Sequence, residues 1–230
     1  MVYSVLVDFD GTIALEDTTD LVLERFADPL WRNVEADWVA GRIGSRECLS
    51  RQVDFVHASQ VDLDQLADGV EFDPAFPEFI EAGRELGLSM AIGSDGFDRI
   101  IARVLARMHV SLPVVSNRLV PLQGGRWRAE FPNFRGDCAS RSGNCKCAML
   151  DGAAAPIILV GDGRSDFCPA AQATLVLAKK SLATHCRNAG IEHIKIENFS
   201  DATRALRALY AFYRARRLRE PAEETGVIHA

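Results

Sequence analysis

No stretch of this chain approaches the roughly 20 consecutive apolar residues needed to cross a bilayer. The apolar run near its start follows no basic region and ends at charged residues. A membrane span and a secretory signal are therefore not expected, and a cytoplasmic location is. An excess of basic residues is lacking too. With 26 Lys and Arg against 32 Asp and Glu, the formal net charge is −6, so no nucleic-acid partner is expected. No segment repeats. The cysteines also lack a usual structural-zinc spacing: Cys138, Cys145 and Cys147 form C-x₆-C-x-C with no evident fourth ligand nearby. Six mostly reduced thiols are expected in a reducing compartment, with metal binding or a disulfide as the alternatives. What remains is an ordinary globular composition over 230 residues, enough for one large domain or a core with an insertion.

Against that background the segment Val5-Leu6-Val7-Asp8-Phe9-Asp10-Gly11-Thr12 stands out. Side chains alternate across a strand, so Asp8 and Asp10 point one way and Phe9 the other. Two carboxylates so close beside apolar residues repel, and one pKa must rise unless a cation intervenes. Hard divalent cations such as Mg²⁺ prefer oxygen ligands. Gly11 permits a tight turn, and Thr12 offers a hydroxyl at its mouth.

The rest of the chain alternates between the two periodicities. Strands are expected at 2–7, 88–92, 156–160, 175–177 and 193–196, and helices at 77–86, 97–108, 139–151, 166–173, 182–189 and 200–216. The continuous apolar run at 156–160 suits a strand buried on both faces. Strands separated by helices predict a doubly wound, Rossmann-like parallel α/β sheet with its site at the carboxyl ends of the strands. Asp8, Ser94 and Asp162 each follow one of those strands. Residues 15–73 hold helical patterns (19–26, 31–40, 45–56 and 63–69) and no strand, which predicts a helical cap on a core formed by 1–14 and 74–219. Residues 114–131 carry Gln123-Gly124-Gly125 between short β-prone runs, a hairpin signal. The tail at 220–230 is unpatterned and expected to be disordered. The basic stretch 204–219 keeps a helical spacing of apolar residues, so a terminal helix docked on the core is expected rather than a membrane-surface helix.

Further polar groups fall at the other strand ends. Ser94-Asp95-Gly96 ends the second strand, and a helix expected from Phe97 would point its N–H groups at an anion. Gly161-Asp162-Gly163-Arg164-Ser165-Asp166 follows the third strand with two carboxylates four residues apart. An Asp N-cap with a first-turn acid is its plainer explanation. Lys146 lies just before that strand, where an ammonium could offset phosphate charge.

In this order the four segments resemble the motifs of the haloacid dehalogenase superfamily, over roughly residues 2–196. A helical insertion between the first two motifs and only a hairpin between the next two is similar to the phosphoserine phosphatase branch. The stretch Phe131-Pro132 through Cys138, Cys145, Lys146 and Cys147 is similar to the methylthiopentenyl phosphate phosphatases of methionine salvage. The resemblance implies a Mg²⁺-dependent phosphomonoesterase acting on a small phosphorylated metabolite, with phosphoserine phosphatase or a weakly catalytic phospho-ligand-binding protein as alternatives. Asp8 is then the nucleophile and Asp10 the acid and base, and the metal falls to Asp8, Asp10 (through its backbone carbonyl), Asp162 and Asp166. Ser94, Asp95, Gly96 and Lys146 are the expected phosphate-binding groups, and Asp17 and Arg51 the expected substrate contacts from the cap. Trp31, Trp38, Phe55 and Arg135 are candidate pocket-lining residues. A second acid argues against dehalogenase chemistry, and a mutase stays open, as does the choice between monomer and homodimer.

Overall fold

A computed structural model describes residues 3–151 and 155–217. The expected tail at 220–230 and the first residue of the expected opening strand lie outside the described residues. Seven strands form one sheet in the order β4-β3-β2-β1-β5-β6-β7. They are β1 (Ser4–Val7), β2 (Ser89–Phe97), β3 (Val114–Pro121), β4 (Trp127–Glu130), β5 (Ile157–Gly161), β6 (Leu175–Ala178) and β7 (His193–Lys195). Every pairing is parallel except β3 with β4.

Alternation explains why the central strands are apolar throughout. Val5 and Val7 join one hydrophobic cluster with Ile92, Ile158 and Val160, whereas Leu6 joins a second with Ile157, Leu159 and Val176. Both faces are covered, so β5 and β6 are buried along their whole length and β1 is buried after Ser4. The first cluster is built largely with α5 (Phe76–Glu85), α6 (Asp98–Arg107) and α10 (Phe199–Arg217), and the second with α9 (Lys180–Ala189). The expected terminal helix docks as anticipated, burying Phe199, Ala202 and Leu206, and Phe199 packs against Phe76 and Phe79 with centroids 4.8 and 5.1 Å away.

Between β1 and α5 stand α1 (Thr18–Phe26), α2 (Trp31–Val39), α3 (Ser45–Val53) and α4 (Gln60–Gly69), with no strand among them. These helices do not float free of the sheet. Along α6, Ile100, Ile101, Val104 and Leu105 face inward, and Arg99 and Arg103 clamp Asp64 and Asp68 of α4 at 2.7–2.9 Å. Such half-exposed pairs contribute modestly to stability but fix register. Buried Asp73 accepts from the N–H groups of Ala75 and Phe199, tying the end of the helical segment to the starts of α5 and α10.

Two expectations need correction. The helix expected over 139–151 is only α7 (Lys146–Leu150). Before it the chain is irregular: Arg141 has φ 48°, a Cβ on Gly143 would lie 2.5 Å from Phe131, and Asn144 donates to the carbonyls of Ser94 and Val115 at 2.8 Å. Tertiary hydrogen bonds here outweigh helix propensity. The helix expected over 166–173 is likewise brief, a 3₁₀ turn at Arg164–Asp166 followed by α8 (Phe167–Ala170). The hairpin forms, but its first strand also pairs with β2 and extends the main sheet.

Candidate active site

Register brings the strand ends together: Val7 stands level with Ile92 on one side and Val160 on the other. The residues that follow, Asp8, Ser94 and Asp162, therefore converge at one edge. Gly11 turns the chain there with φ 68°, and a Cβ on it would lie 2.3 Å from an Asp162 carboxylate oxygen. A Cβ on Gly96 would lie 2.4 Å from Asp10. Only glycine lets these loops close on the carboxylates.

Lys146 is the centre of the buried charge. Its Nζ donates to Asp8 Oδ1 at 2.6 Å, to Asp166 Oδ1 at 2.7 Å and to Ser165 Oγ at 3.0 Å. Burial disfavours the ammonium, but Asp166 and Asp8 outweigh it and raise its pKa, so it stays charged. Burial, with repulsion from Asp166, pushes the Asp8 carboxyl well up against the pull of Lys146. Asp166 also accepts from the backbone N–H groups of Asp162 and Gly163, which shapes the loop after β5.

Across the mouth, Asp10 Oδ1 accepts from the Thr18 backbone N–H at 2.9 Å and hydroxyl at 2.6 Å, and Oδ2 accepts from Ser94 Oγ at 3.1 Å. Burial raises its pKa, and these bonds oppose the rise. Ser94 in turn accepts from the Gly96 N–H at 2.9 Å. The Asp95 carboxylate turns away to the Asn144 N–H and the Asn117 side chain, at 2.8 and 3.0 Å, and so braces the loop before α7. The helix expected from Phe97 starts one residue later, because β2 runs on through Phe97.

Asp8, Asp162 and Asp166 each offer a carboxylate oxygen, all within 4.8 Å of one another. An all-oxygen set carrying this much negative charge fits a hard divalent cation such as Mg²⁺. The Asp10 carboxylate, engaged by Thr18 and Ser94, is not part of that set.

A cavity of about 360 Å³ opens over these groups. Its far wall comes from the helical segment and includes Asp17, Asp20, Glu35, Trp38, Cys48 and Gln52. Asp17 caps α1 by accepting from the Thr19 and Asp20 N–H groups, and burial together with Asp10 and Asp20 pushes its carboxyl well up. Gln52 donates to Glu35 at 2.8 Å. Arg164 lies over the Trp38 ring, 4.8 Å from its centroid, and links the loop after β5 to α2. Lys180 bonds Asp162 and the Gly11 carbonyl at 3.1 and 3.0 Å.

Arg51 is not brought to the cavity. It lies on the outer face of α3, 3.5 Å from Glu47 and 3.9 Å from Asp37, because Gln52 takes the inward position. Arg51→Ala is accordingly expected to leave KM within about twofold of the parent's in a steady-state assay, as for any exposed residue away from a site. Trp31 is core, Phe55 packs against it, and Arg135 pairs with Asp137 and Asp151. Of the aromatic candidates, Trp38 is the one that lines the cavity. Sequence reasoning missed Thr18, Asp20, Glu35, Gln52 and Lys180. A signal existed for Lys180, since Lys179-Lys180 directly follows a strand.

Burial, then Glu35, Glu24 and Asp10, raise the Asp20 pKa to about 6. A carboxyl raised above its unfolded value binds protons more tightly when folded, so its cost is absent below about pH 4 and grows as pH rises through 6. Asp20→Asn should therefore melt higher than the parent at pH 7.5 but not at pH 4. Solvent at the cavity mouth holds the gain to about 1 kcal/mol. Paired thermal melts at the two pH values check it.

A family model described as haloacid dehalogenase-like hydrolase matches residues 5–171. The chain belongs to that family. It is 27% identical over 208 residues to a 2-hydroxy-3-keto-5-methylthiopentenyl-1-phosphate phosphatase of Geobacillus kaustophilus, covering 88% of this chain and 94% of the relative. It is 28% identical over 224 residues to Pdp3-interacting factor 1 of Schizosaccharomyces pombe, covering 90% and 95%. Among solved structures, a phosphoserine phosphatase captured as a phospho-aspartyl intermediate analogue superposes with a TM-score of 0.67 at 19% identity, covering 89% of this chain and 98% of that one. That likeness establishes the shared fold of this hydrolase. Among the described residues, no helix is long and apolar enough to cross a membrane.

Proposed function

We propose that this hydrolase is a Mg²⁺-dependent phosphomonoesterase that works through an aspartyl-phosphate on Asp8 and takes a small, sugar-like phosphate whose organic part is uncharged. The compound named for the Geobacillus relative, 2-hydroxy-3-keto-5-methylthiopentenyl-1-phosphate, is of this kind. Residues 15–73 act as its cap, with Trp38 and Gln52 facing the substrate's organic part.

The observation that carries the chemistry is the pairing of two carboxyls in different surroundings at the closed end of one cavity. Asp8 is held by Lys146, which fixes its orientation for attack on phosphorus. Asp10 is held by Thr18 and Ser94, at a place where it can pass a proton to the departing alcohol and take one from the incoming water. Ser94 and Lys146 then hold phosphoryl oxygens, since this reaction needs mainly positioning and charge stabilisation. A cation held by Asp8, Asp162 and Asp166, with the Asp10 carbonyl, would neutralise charge between the nucleophile and the phosphoryl group.

The acidic far wall could meet the ammonium of phosphoserine but repels its carboxylate, and Arg51 faces away, so the wall favours a substrate without a carboxylate. A substrate carboxylate would face Asp20 and Glu35 without the help of Arg51, and like charges brought together cost affinity. Phosphate release from a panel decides the matter. The methylthiopentenyl phosphate should exceed phosphoserine by at least about tenfold in kcat/KM, which corresponds to about 1.4 kcal/mol. EDTA should abolish release and Mg²⁺ restore it. Equal or greater activity on phosphoserine overturns the substrate assignment, and full activity in EDTA overturns the metal.

A further inference from the structure

Two half-buried cysteines lie directly behind the charged centre without belonging to it. Cys147 follows Lys146 on α7, and Cys168 stands two residues after Asp166 on α8. Their sulfurs are 3.1 Å apart. Cys147 belongs to the cysteine cluster visible in the sequence, whereas Cys168 comes from a separate segment and meets it only through packing of α7 on α8. The other thiols do not complete a metal site with them. Among the described residues, the group whose ligand atoms gather closely enough is the carboxylate trio alone.

We propose that Cys147 and Cys168 form an oxidation site, at which a low-molecular-weight disulfide closes an internal disulfide that slows turnover. The Cys168 sulfur, as thiolate, attacks one sulfur of the oxidant RSSR. That S–S bond breaks, and the released RS⁻ takes a proton from water. The Cys147 sulfur then attacks Cys168 in the mixed disulfide, its proton leaving with the second RS⁻. The protein loses two electrons and two protons, and the oxidant gains them as two RSH. The Cys147 S–H donates to the Cys168 sulfur, which favours Cys168 as the first thiolate and leaves Cys147 beside the mixed disulfide for the second, intramolecular attack.

The consequence for turnover follows from distance. A disulfide needs its sulfurs about 2.05 Å apart, so the two sulfurs must close by about 1 Å from 3.1 Å, which draws α7 and α8 toward each other. Those two elements carry Lys146 and flank Asp166, whose contact is 2.7 Å. A misplacement of about 1 Å near a reacting centre can cost on the order of 10²-fold in rate.

The test incubates the full chain with glutathione disulfide, followed by intact mass, peptide mapping without reduction, and Mg²⁺-dependent hydrolysis of p-nitrophenyl phosphate. A linked Cys147–Cys168 peptide is expected, with a mass loss of about two hydrogens. The rate should fall tenfold to a hundredfold and recover with dithiothreitol. Cys168→Ser should keep the parent's basal rate and resist oxidation, and Cys147→Ala should do the same if the first variant folds poorly. A Cys138–Cys145 link instead, glutathione adducts with no internal bond, or a linked pair at the parent's rate overturns the proposal. The rate effect rests on the phosphatase activity proposed above. A chain that hydrolyses nothing before oxidation counts against that activity, while the peptide map still decides the disulfide.

Discussion

Asp8→Asn is expected to lower phosphate release by about 10³-fold or more while the protein stays folded. Removing a nucleophile removes the covalent step itself, and what remains reflects only binding and charge stabilisation by the other groups. Asparagine keeps the shape of the side chain. It also deletes a carboxylate that burial and Asp166 already push toward its neutral form, so the fold loses little. Lys146 keeps Asp166 as its partner. The melting temperature should match or exceed the parent's. Turnover within tenfold of the parent would remove Asp8 as the nucleophile, and a collapse in melting temperature would make the loss uninterpretable as chemistry.

Lys146→Met should show the opposite pattern, with a large loss of stability and of activity together. The ammonium is 2–3% exposed and stands between two carboxylates that are equally hidden. Deleting one member of a buried charge cluster leaves the others uncompensated, a cost of about 3–5 kcal/mol. For a chain of this size that lowers the melting temperature by about 10 °C. Mg²⁺ should raise the variant's melting temperature more than the parent's, because a cation among Asp8, Asp162 and Asp166 takes over the role of the missing charge. Calorimetry with Mg²⁺ and with EDTA tests both statements. A variant as stable as the parent would mean that Lys146 has no organising charge role.

The two variants separate what a linear reading captures from what it does not. Asp8-Phe9-Asp10 was legible because an apolar run leads straight into two acids and a glycine, although β1 ends at Val7 and the turn that follows, not strand alternation, places the two carboxylates. The parallel sheet was legible because apolar runs such as 157–160 alternate with helical periods. The lysine was legible as a residue type and a position in order, but its helix was overextended: the hydrogen bonds that hold Asn144 to Ser94 and Val115 come from segments distant in sequence. Arg51 and Gln52 illustrate the limit best. They are neighbours on α3, and the orientation of that helix alone decides that the amide faces the cavity and the guanidinium faces solvent.

The sequence by itself determined the order of the elements, the positions of Asp8 and Asp162 directly after their strands, and the membership of this chain in its hydrolase family, because periodicity and local motifs are carried by neighbouring residues; Ser94, expected after a strand, lies within β2. Only the tertiary structure decided which groups face the organic part of a substrate, that Asp95 braces a loop, and that Cys147 meets Cys168. Those facts depend on how helices rotate and dock on one another, and that is set by side-chain packing between segments that no local pattern connects.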